Sequence, residues 1–514
     1  MFVKRTKKIV DGKVYEQASI VETIRINGKI THKQIQNLGS IKTKDDEIRI
    51  NEFLEQIKKG EKLVTISDAN KYILEYGIKL IVENIWNSLE IKPFLSSSKA
   101  SYDINQLICM LIAHRLHNYG SENLSDREAI RWINEECYYN SKLNLHQVYR
   151  GIKIFAHKKE EIEKHLCKKL HKNNEVVFYD LTSSYLEGDY NDSKIADYGY
   201  NRDKKIGKKQ IVLGLLLSDN LPLAHKVWEG NTPDKTTLKE AVMQAKNMGI
   251  KKFIFVADRG LITEGNLEWI EEQKLEYIIA TKRRKETLIR ELMNKKIEKD
   301  EEVKKVHEEK TSEDNTRMYY LCYNKDVAEQ KIKDLENLKD ILIKKIEEIK
   351  KPTEHKVLEA LGKAKKLFNL SFDKGFKYSI NKENYEYEKQ IAGKYILVTN
   401  NHELSDKDIL KTYKQLMEIE RCFRQLKHFE DMRPIFHKSD DGIKAHVFIA
   451  VMALLIEKLI NKKIPNMRTR EVITEMKKLK LSKTGDYFVR TDISREQKTI
   501  LDNLGIKSPM KIVM

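Results

Sequence analysis

The sequence predicts an α/β fold, and three observations predict it. Apolar runs of strand length recur at Val176–Tyr179, Gln210–Leu217, Leu221–Trp228, Phe253–Ala257 and Tyr277–Thr281. Stretches of helical length and pattern separate the later runs, at Lys235–Met248 and Glu264–Gln273. The central runs are apolar throughout rather than alternating, which requires cover on both faces of a sheet, and helices supply it.

The elements follow in chain order. Residues 1–42 form a small N-terminal β unit, because Ser19–Ile26 and Lys29–Ile35 flank Asn27-Gly28 as the strands of a hairpin flank its turn. Residues 43–171 are helical in pattern, with Ser125-Asp126-Arg127-Glu128 as a capping-box start for a helix through Trp132. Its mixture of Lys, Arg, Tyr and Trp suits a DNA-gripping surface or a plain helical bundle, and DNA binding is assigned to this region. Three strands, helix, strand, helix, strand then make the order of an RNase H-like sheet, over residues 172–282 and 393–460. Residues 283–392 interrupt that core after the fifth strand. They contain an amphipathic helix with Ile332, Leu335, Leu338, Leu342, Ile346 and Ile349 at helical spacing, and strand-like pieces at Met318–Tyr323 and Tyr378–Tyr387. Lys394–Asn400 returns to a strand pattern, and residues 461–514 read as a helical tail.

Composition narrows the partners. The 96 Lys and Arg against 78 Asp and Glu leave a formal net charge of 96 − 78 = +18. That balance suits a polyanion, since basic side chains that neutralise phosphates release counterions. Cys109, Cys137, Cys167, Cys322 and Cys422 are odd in number and never spaced as C-x-x-C, which argues against a disulfide scaffold or zinc site and for a reducing cytoplasm. The longest apolar run, Val447–Ile456, stops at Glu457 and is too short to cross a bilayer. The basic N-terminus has no apolar segment or cleavage site behind it, so no signal peptide is expected.

Three acids stand out. Asp180 follows the first apolar run and Asp258 the fourth, as "VVFYD" and "FVADRG". The third is Glu420, on a helix expected from an N-cap at Ser405 to about His428. On that helix Ile409, Leu416, Ile419, Phe423 and Leu426 make one apolar stripe. Glu420 projects onto its inward half, which is costly unless the carboxylate is paired or metal-bound. Lys427 and Arg424 could pair it. Each acid alone has an ordinary structural explanation, but in an RNase H-like order the three elements carrying them meet at one edge of the sheet. Carboxylates gathered there suit Mg²⁺, a hard ion that keeps several waters. Two such ions stabilise the attacking and leaving oxygens of a phosphodiester cleavage. Asp180 would bridge both, with Asp258 and Glu420 binding one each.

The segment Tyr413-Lys-Gln-Leu416-Met-Glu-Ile-Glu420-Arg-Cys-Phe-Arg-Gln-Leu-Lys427 resembles the Y-x2-R-x3-E-x6-K signature of one branch of bacterial insertion-sequence DDE transposases. So do "YDLTSSYLEG" at Asp180, "WEGNTPDKTTL" at Trp228–Leu238, "ADRGL" at Asp258 and "RPIFHKSDDGIKAHVFI" at Arg433–Ile449. The likeness covers the chain to about residue 460. It departs at Leu416, where the signature has Arg, and Arg421 or Arg424 is the candidate substitute. It implies binding of terminal inverted repeats, Mg²⁺-dependent cleavage with Mn²⁺ able to replace Mg²⁺, and transfer of 3′ ends into target DNA. It also implies a homodimer joining two element ends, double-stranded DNA as partner, no membrane, and a bacterial cytoplasm with the protein on the nucleoid when bound. Tyr413, Lys427, Arg424, Arg421 and Arg259 are the expected DNA contacts. Two other readings stand beside this one: an RNase H-like nuclease that cuts without joining, and a catalytically inactive DNA-binding derivative.

Overall fold

The structure is a computed structural model. It describes residues 2–10, 13–26, 29–41, 73–96, 102–120, 125–139, 142–171, 176–200, 202, 205, 207–250, 254–257, 263–281, 287–298, 301–312, 315–373, 375–428, 432–433, 435–484 and 487–513. The chain falls into two units, one of Met1–Ile85, Asp126–Leu145 and Ile460–Met514, the other of Trp86–Ser125 and His146–Leu459.

In the first unit β1 (Phe2–Val10), β2 (Lys13–Ile26) and β3 (Lys29–Ile41) form an antiparallel sheet in that order. Strands β2 and β3 pair outward from Ile26 opposite Lys29, as expected of strands flanking Asn27-Gly28, although those two residues lie outside the described set. After β4 (Ile73–Glu75) comes α1 (Gly77–Ser88).

The second unit is built on one eight-stranded sheet. Helices α2 (Ile104–His117), α3 (Leu145–His157) and α4 (Lys159–Leu170) lead into β5 (Val177–Tyr185), β6 (Gln210–Ser218) and β7 (Leu221–Glu229). Then come α5 (Asp234–Asn247), β8 (Ile254–Ala257), α6 (Glu264–Glu272) and β9 (Glu276–Ala280). Strands β10 (Val303–Lys310) and β11 (Thr316–Tyr323) precede α7 (Lys325–Glu347), α8 (Glu354–Leu361), β12 (Phe368–Ser371), β13 (Lys377–Ile380) and α9 (Lys382–Gln390). Strand β14 (Lys394–Thr399) closes the sheet, whose order is β10-β11-β14-β9-β8-β5-β6-β7. Strand β5 runs antiparallel to β6 and parallel to β8, and β8 runs parallel to β9.

Local chemistry explains the departures from expectation. Strand β5 does not stop at Asp180 but runs five residues further, because Thr182, Ser183 and Ser184 are buried and paired along β6. Gly214 lets that pairing stay close: a methyl there would meet Trp228 at 2.6 Å and the Tyr179 hydroxyl at 2.8 Å. The expected strand piece Tyr378–Tyr387 is half strand and half helix. The Asn381 side chain accepts a hydrogen bond from Asn384 N at 3.0 Å and starts α9, whose Tyr385 is buried. Two strands inside residues 283–392 extend the main sheet, while α7, α8 and the β12–β13 hairpin share a separate small core around Leu342, Ile346, Val357 and Phe368.

Beyond β14, α10 (Asp406–Lys414) is capped by Ser405, whose hydroxyl accepts from Asp408 N at 3.2 Å. It is followed by α11 (Leu416–His428) and α12 (Asp440–Lys463). The single helix expected over 405–428 is thus two, interrupted at Gln415. In the first unit α13 (Thr469–Met476), β15 (Lys480–Thr484), β16 (Tyr487–Arg490), α14 (Arg495–Asn503) and β17 (Ile512–Val513) make the C-terminal segment mixed rather than helical, with a sheet of order β17-β16-β15-β4. Among the described residues no helix is long and apolar enough to cross a membrane.

A buried ionic group ties α4 to β7. Glu163 accepts from Lys159 Nζ at 2.6 Å and lies 2.8 Å from His225 Nδ1, and both His225 and Glu163 are 1% exposed. Burial, joined by the Lys159 charge, outweighs Glu163 and holds His225 below the ordinary histidine pKa. Burial acts to raise the Glu163 carboxyl, but Lys159 and His225 overcome it and the net shift is downward. Both folded values therefore lie below the unfolded ones. Their contribution is complete above about pH 6.5, the unfolded histidine value, and falls as the pH drops below it, by up to about 1.4 kcal/mol per pH unit for each proton. Thermal unfolding followed from pH 8 to pH 5 should show a flat upper range and a falling midpoint below about pH 6.5. A midpoint that rises toward acid would contradict the assignment.

Candidate active site

Asp180 sits in the middle of β5, half-buried, opposite Leu215 of β6. By alternation it shares the sheet face of Phe178. Phe178 packs in one core with Val256 of β8, with Leu416, Ile419, Cys422, Phe423 and Leu426 of α11, and with Ile443 and Val447 of α12. Asp180 therefore lies on the face that α11 covers, and α11 packs directly on β5. Strand β8 runs alongside, with Val256 opposite Phe178 and Ala257 opposite Tyr179. Asp258 and Arg259, which follow Ala257, lie outside the described residues.

Glu420 does not face inward. It is exposed, on the flank of the α11 stripe made by Leu416, Ile419, Phe423 and Leu426. The projection failed because it carried one unbroken rotation across Gln415, where the helix is interrupted, and because the stripe is narrow enough to leave its neighbour at 420 in solvent. An exposed carboxylate avoids the cost that a buried one would carry. Lys427, two turns along the same flank, is half-buried.

The remaining expected contacts fall as follows. Tyr413 is half-buried at the end of α10, its ring 5.9 Å from that of Tyr395. Arg424 is exposed, and Arg421, also exposed, is ion-paired with Glu418 on the preceding turn. Leu416 is buried in the core, so the position at which the signature carries Arg is here a packing position. Among the described residues no three His, Cys, Asp or Glu side chains cluster as a metal site, and Asp258 is not among those residues. The donor chemistry nevertheless suits a hard cation. Two carboxylates stand on packed elements, whereas the Cys422 thiol of α11 is buried and pushed up by that burial to about 11, so it stays neutral.

Sequence reasoning missed the polar anchor beneath α11. Glu457, read only as the residue ending an apolar run, is buried on α12 and accepts from Gln425 Nε2 at 2.8 Å and from the Tyr119 hydroxyl at 3.0 Å. A lone acid after ten apolar residues was the available signal, since burial demands partners for it. It also missed the ties from the β5–β6 connection: Ser193 Oγ donates to Asp440 at 2.6 Å, and the Tyr190 hydroxyl donates to the Ile435 carbonyl.

Comparison with known proteins adds three findings. Residues 171–456 match the family described as Transposase DDE domain, and residues 3–67 match the IS1634 family transposase, N-terminal domain. No curated protein matches. Among solved structures, a piggyBac transposase synaptic complex with hairpin DNA, seen by cryo-EM, is similar at 9% identity over 78% of this chain and 76% of that chain. Its TM-score of 0.37 is too low to bear on the chemistry.

Proposed function

The chain belongs to the transposases that carry a DDE domain, and from that premise we propose that it acts on the ends of its own insertion sequence. It binds the terminal inverted repeats, cleaves the ends by metal-dependent phosphodiester hydrolysis and transfers the 3′ ends into target DNA as a dimer. One observation carries the chemistry: α11, which bears Glu420, packs on β5, which bears Asp180, while β8 ends beside β5 at the residue before Asp258. The order β7-β6-β5-β8-β9, with the first strand central and parallel to the fourth, supports an RNase H-like core extended by β10, β11 and β14.

Asp180, Asp258 and Glu420 would hold Mg²⁺. When bound, the ions would supply charge stabilisation at the attacking and leaving oxygens of the scissile phosphodiester. The chain's own residues do the rest. Asp180 stands on a strand paired with β6 at that residue and with β8 up to Tyr179, so its backbone is fixed. Glu420 stands open to incoming DNA. Lys427, Arg424 and Tyr413 would hold the phosphate backbone beside them, setting register rather than reading sequence. The direct test incubates the purified protein with Mg²⁺ and a duplex carrying the inverted repeats that flank its coding region. Nicking at the repeat ends followed by joining of 3′ ends supports transposition. Hydrolysis without joining supports a nuclease instead.

Arg424 is the clearest phosphate contact to test, being exposed on α11 without a salt bridge among those described. Replacing it with Ala should weaken DNA binding about equally across sequences and reduce the slope of log affinity against log salt by about one. An unchanged slope would remove Arg424 from the interface.

A further inference from the structure

Sequence periodicity puts Leu338 on the apolar stripe of α7, yet it is 40% exposed, and Ile341, one turn further on, is 52% exposed. The helix is long, Lys325–Glu347 with Glu348 as its C-cap, and it carries two stripes rather than one. Leu335, Lys339, Leu342 and Ile346 turn inward. Leu342 and Ile346 sit in the small core shared with α8 and the β12–β13 hairpin, and Lys339 lies over the Tyr385 ring of α9. Lys331, Asp334, Leu338, Ile341, Lys345 and Glu348 repeat at the same spacing but one residue earlier, about 100° around the helix, and all six are exposed.

Two exposed aliphatic side chains on a long surface helix are ordinary by themselves. The order of the charges around them is not. The six positions advance in alternating steps of three and four residues, the spacing by which two helices pair along a seam. Asp334 stands four residues before Leu338, and Lys345 stands four residues after Ile341. Three residues further out on either side are Lys331 and Glu348. Reversing the chain direction about the midpoint between Leu338 and Ile341 therefore exchanges Asp334 with Lys345 and Lys331 with Glu348. The stripe is complementary to an inverted copy of itself. Pairing in the same direction would instead set each charge against its own kind, Asp334 on Asp334 and Lys345 on Lys345, which is unfavourable.

We propose that this stripe of α7 is a contact between two copies of the chain, with the two helices antiparallel. Leu338 of each copy meets Ile341 of the other at the centre. Asp334 pairs with Lys345 and Lys331 with Glu348 on both sides, as a two-fold axis requires. The apolar centre supplies attraction, and the charges fix direction and register. Gln330 Nε2 donates to Asp334 Oδ1 at 2.8 Å within each copy, which steadies that carboxylate. A patch this small belongs to the weak, transient class of interfaces. Copies therefore separate in dilute solution and meet once DNA holds two chains close together. The assignment deepens the proposed function by naming the surface through which two copies meet, and rests on it only for the part played by DNA.

The test is sedimentation velocity on the full-length protein without DNA, over a range of about 1–100 μM. A monomer–dimer equilibrium that weakens with added salt is expected. Asp334→Lys alone, or Lys345→Asp alone, sets like charges face to face twice and should raise the dimer dissociation constant by at least about tenfold. Both changes in one chain should bring it back to within about threefold of the parental value. An equimolar mixture of the two single variants should do the same, because each then complements the other. These side chains are exposed on a surface helix, so the fold should hold, which a thermal melt verifies. A chain that stays monomeric over the whole range overturns the proposal. So do single changes that leave the dimer intact, or a double change that fails to restore it. None of these results decides the transposition reading, which the nicking and joining assay tests on its own. A dimer that obeys the charge exchanges in a protein that never cuts end-bearing DNA leaves the α7 contact standing and removes transposition.

Discussion

Asp180→Ala is expected to lower Mg²⁺-dependent cleavage of end-bearing DNA by at least about 10³-fold, while end binding stays within a few-fold of the parent protein. The size follows from the position. Asp180 is held in the middle of a strand paired with β6 along its length and with β8 up to Tyr179, on the sheet face covered by α11, so its loss removes a carboxylate from a fixed position. Binding is spared because Arg424 and Lys427, the side chains proposed to hold phosphate, belong to α11 and the overall charge stays strongly positive. Asp180→Asn keeps the shape and removes the charge, and should be nearly as inactive. Asp258→Ala should behave in the same way. If Asp180→Ala cuts at the parental rate, the three acids do not form the catalytic centre and the proposed mechanism falls.

The largest stability loss expected from a single truncation is at Phe448. Its ring is 1% exposed on α12, stacked on Phe155 at 4.2 Å with planes 7° apart, and lies 5.5 Å from the His225 imidazole. Removing it strips three elements of a shared contact and leaves a cavity that stiff neighbours cannot fill. Phe448→Ala should cost about 3–5 kcal/mol, from lost transfer energy and the remaining void. The readout is the denaturant midpoint of the second unit's unfolding. Phe448→Leu, which refills most of the volume, should recover much of the loss. A change below about 1 kcal/mol for the Ala variant would mean that the ring stack is not part of the cooperative core.

The core sheet was legible because its strands announce themselves in two ways. Residues such as Ile211 to Leu217 are apolar without interruption, and α5 and α6 have polar faces between such runs, so the order of five strands and two helices could be read directly. The polar half of β5 could not be read that way, because Thr182, Ser183 and Ser184 look like a turn until their partners on β6 are known. Glu420 shows a different limit. Its identity as a candidate came from spacing to Tyr413 and Lys427, but its exposure depended on a helix interruption at Gln415 that no Pro or Gly marks. The partners of Glu457 and Glu163 were hidden for a third reason: burying an acid needs donors far away in sequence, at Tyr119 and Gln425 for Glu457 and at the His225 backbone N–H for Glu163.

The margins of the eight-stranded sheet carry a consequence for assembly. One border, β10, reads VKKVHEEK and turns Lys304, Lys305, Glu308, Glu309 and Lys310 toward water. The other, β7, contains Pro222 beside a register shift and carries Lys226. Charged side chains, a missing amide proton and a local kink all discourage a foreign ribbon from docking there. In the dimer proposed above these two borders are therefore poor places for the copies to join, and a crowded solution of the protein should resist forming fibrils seeded from them.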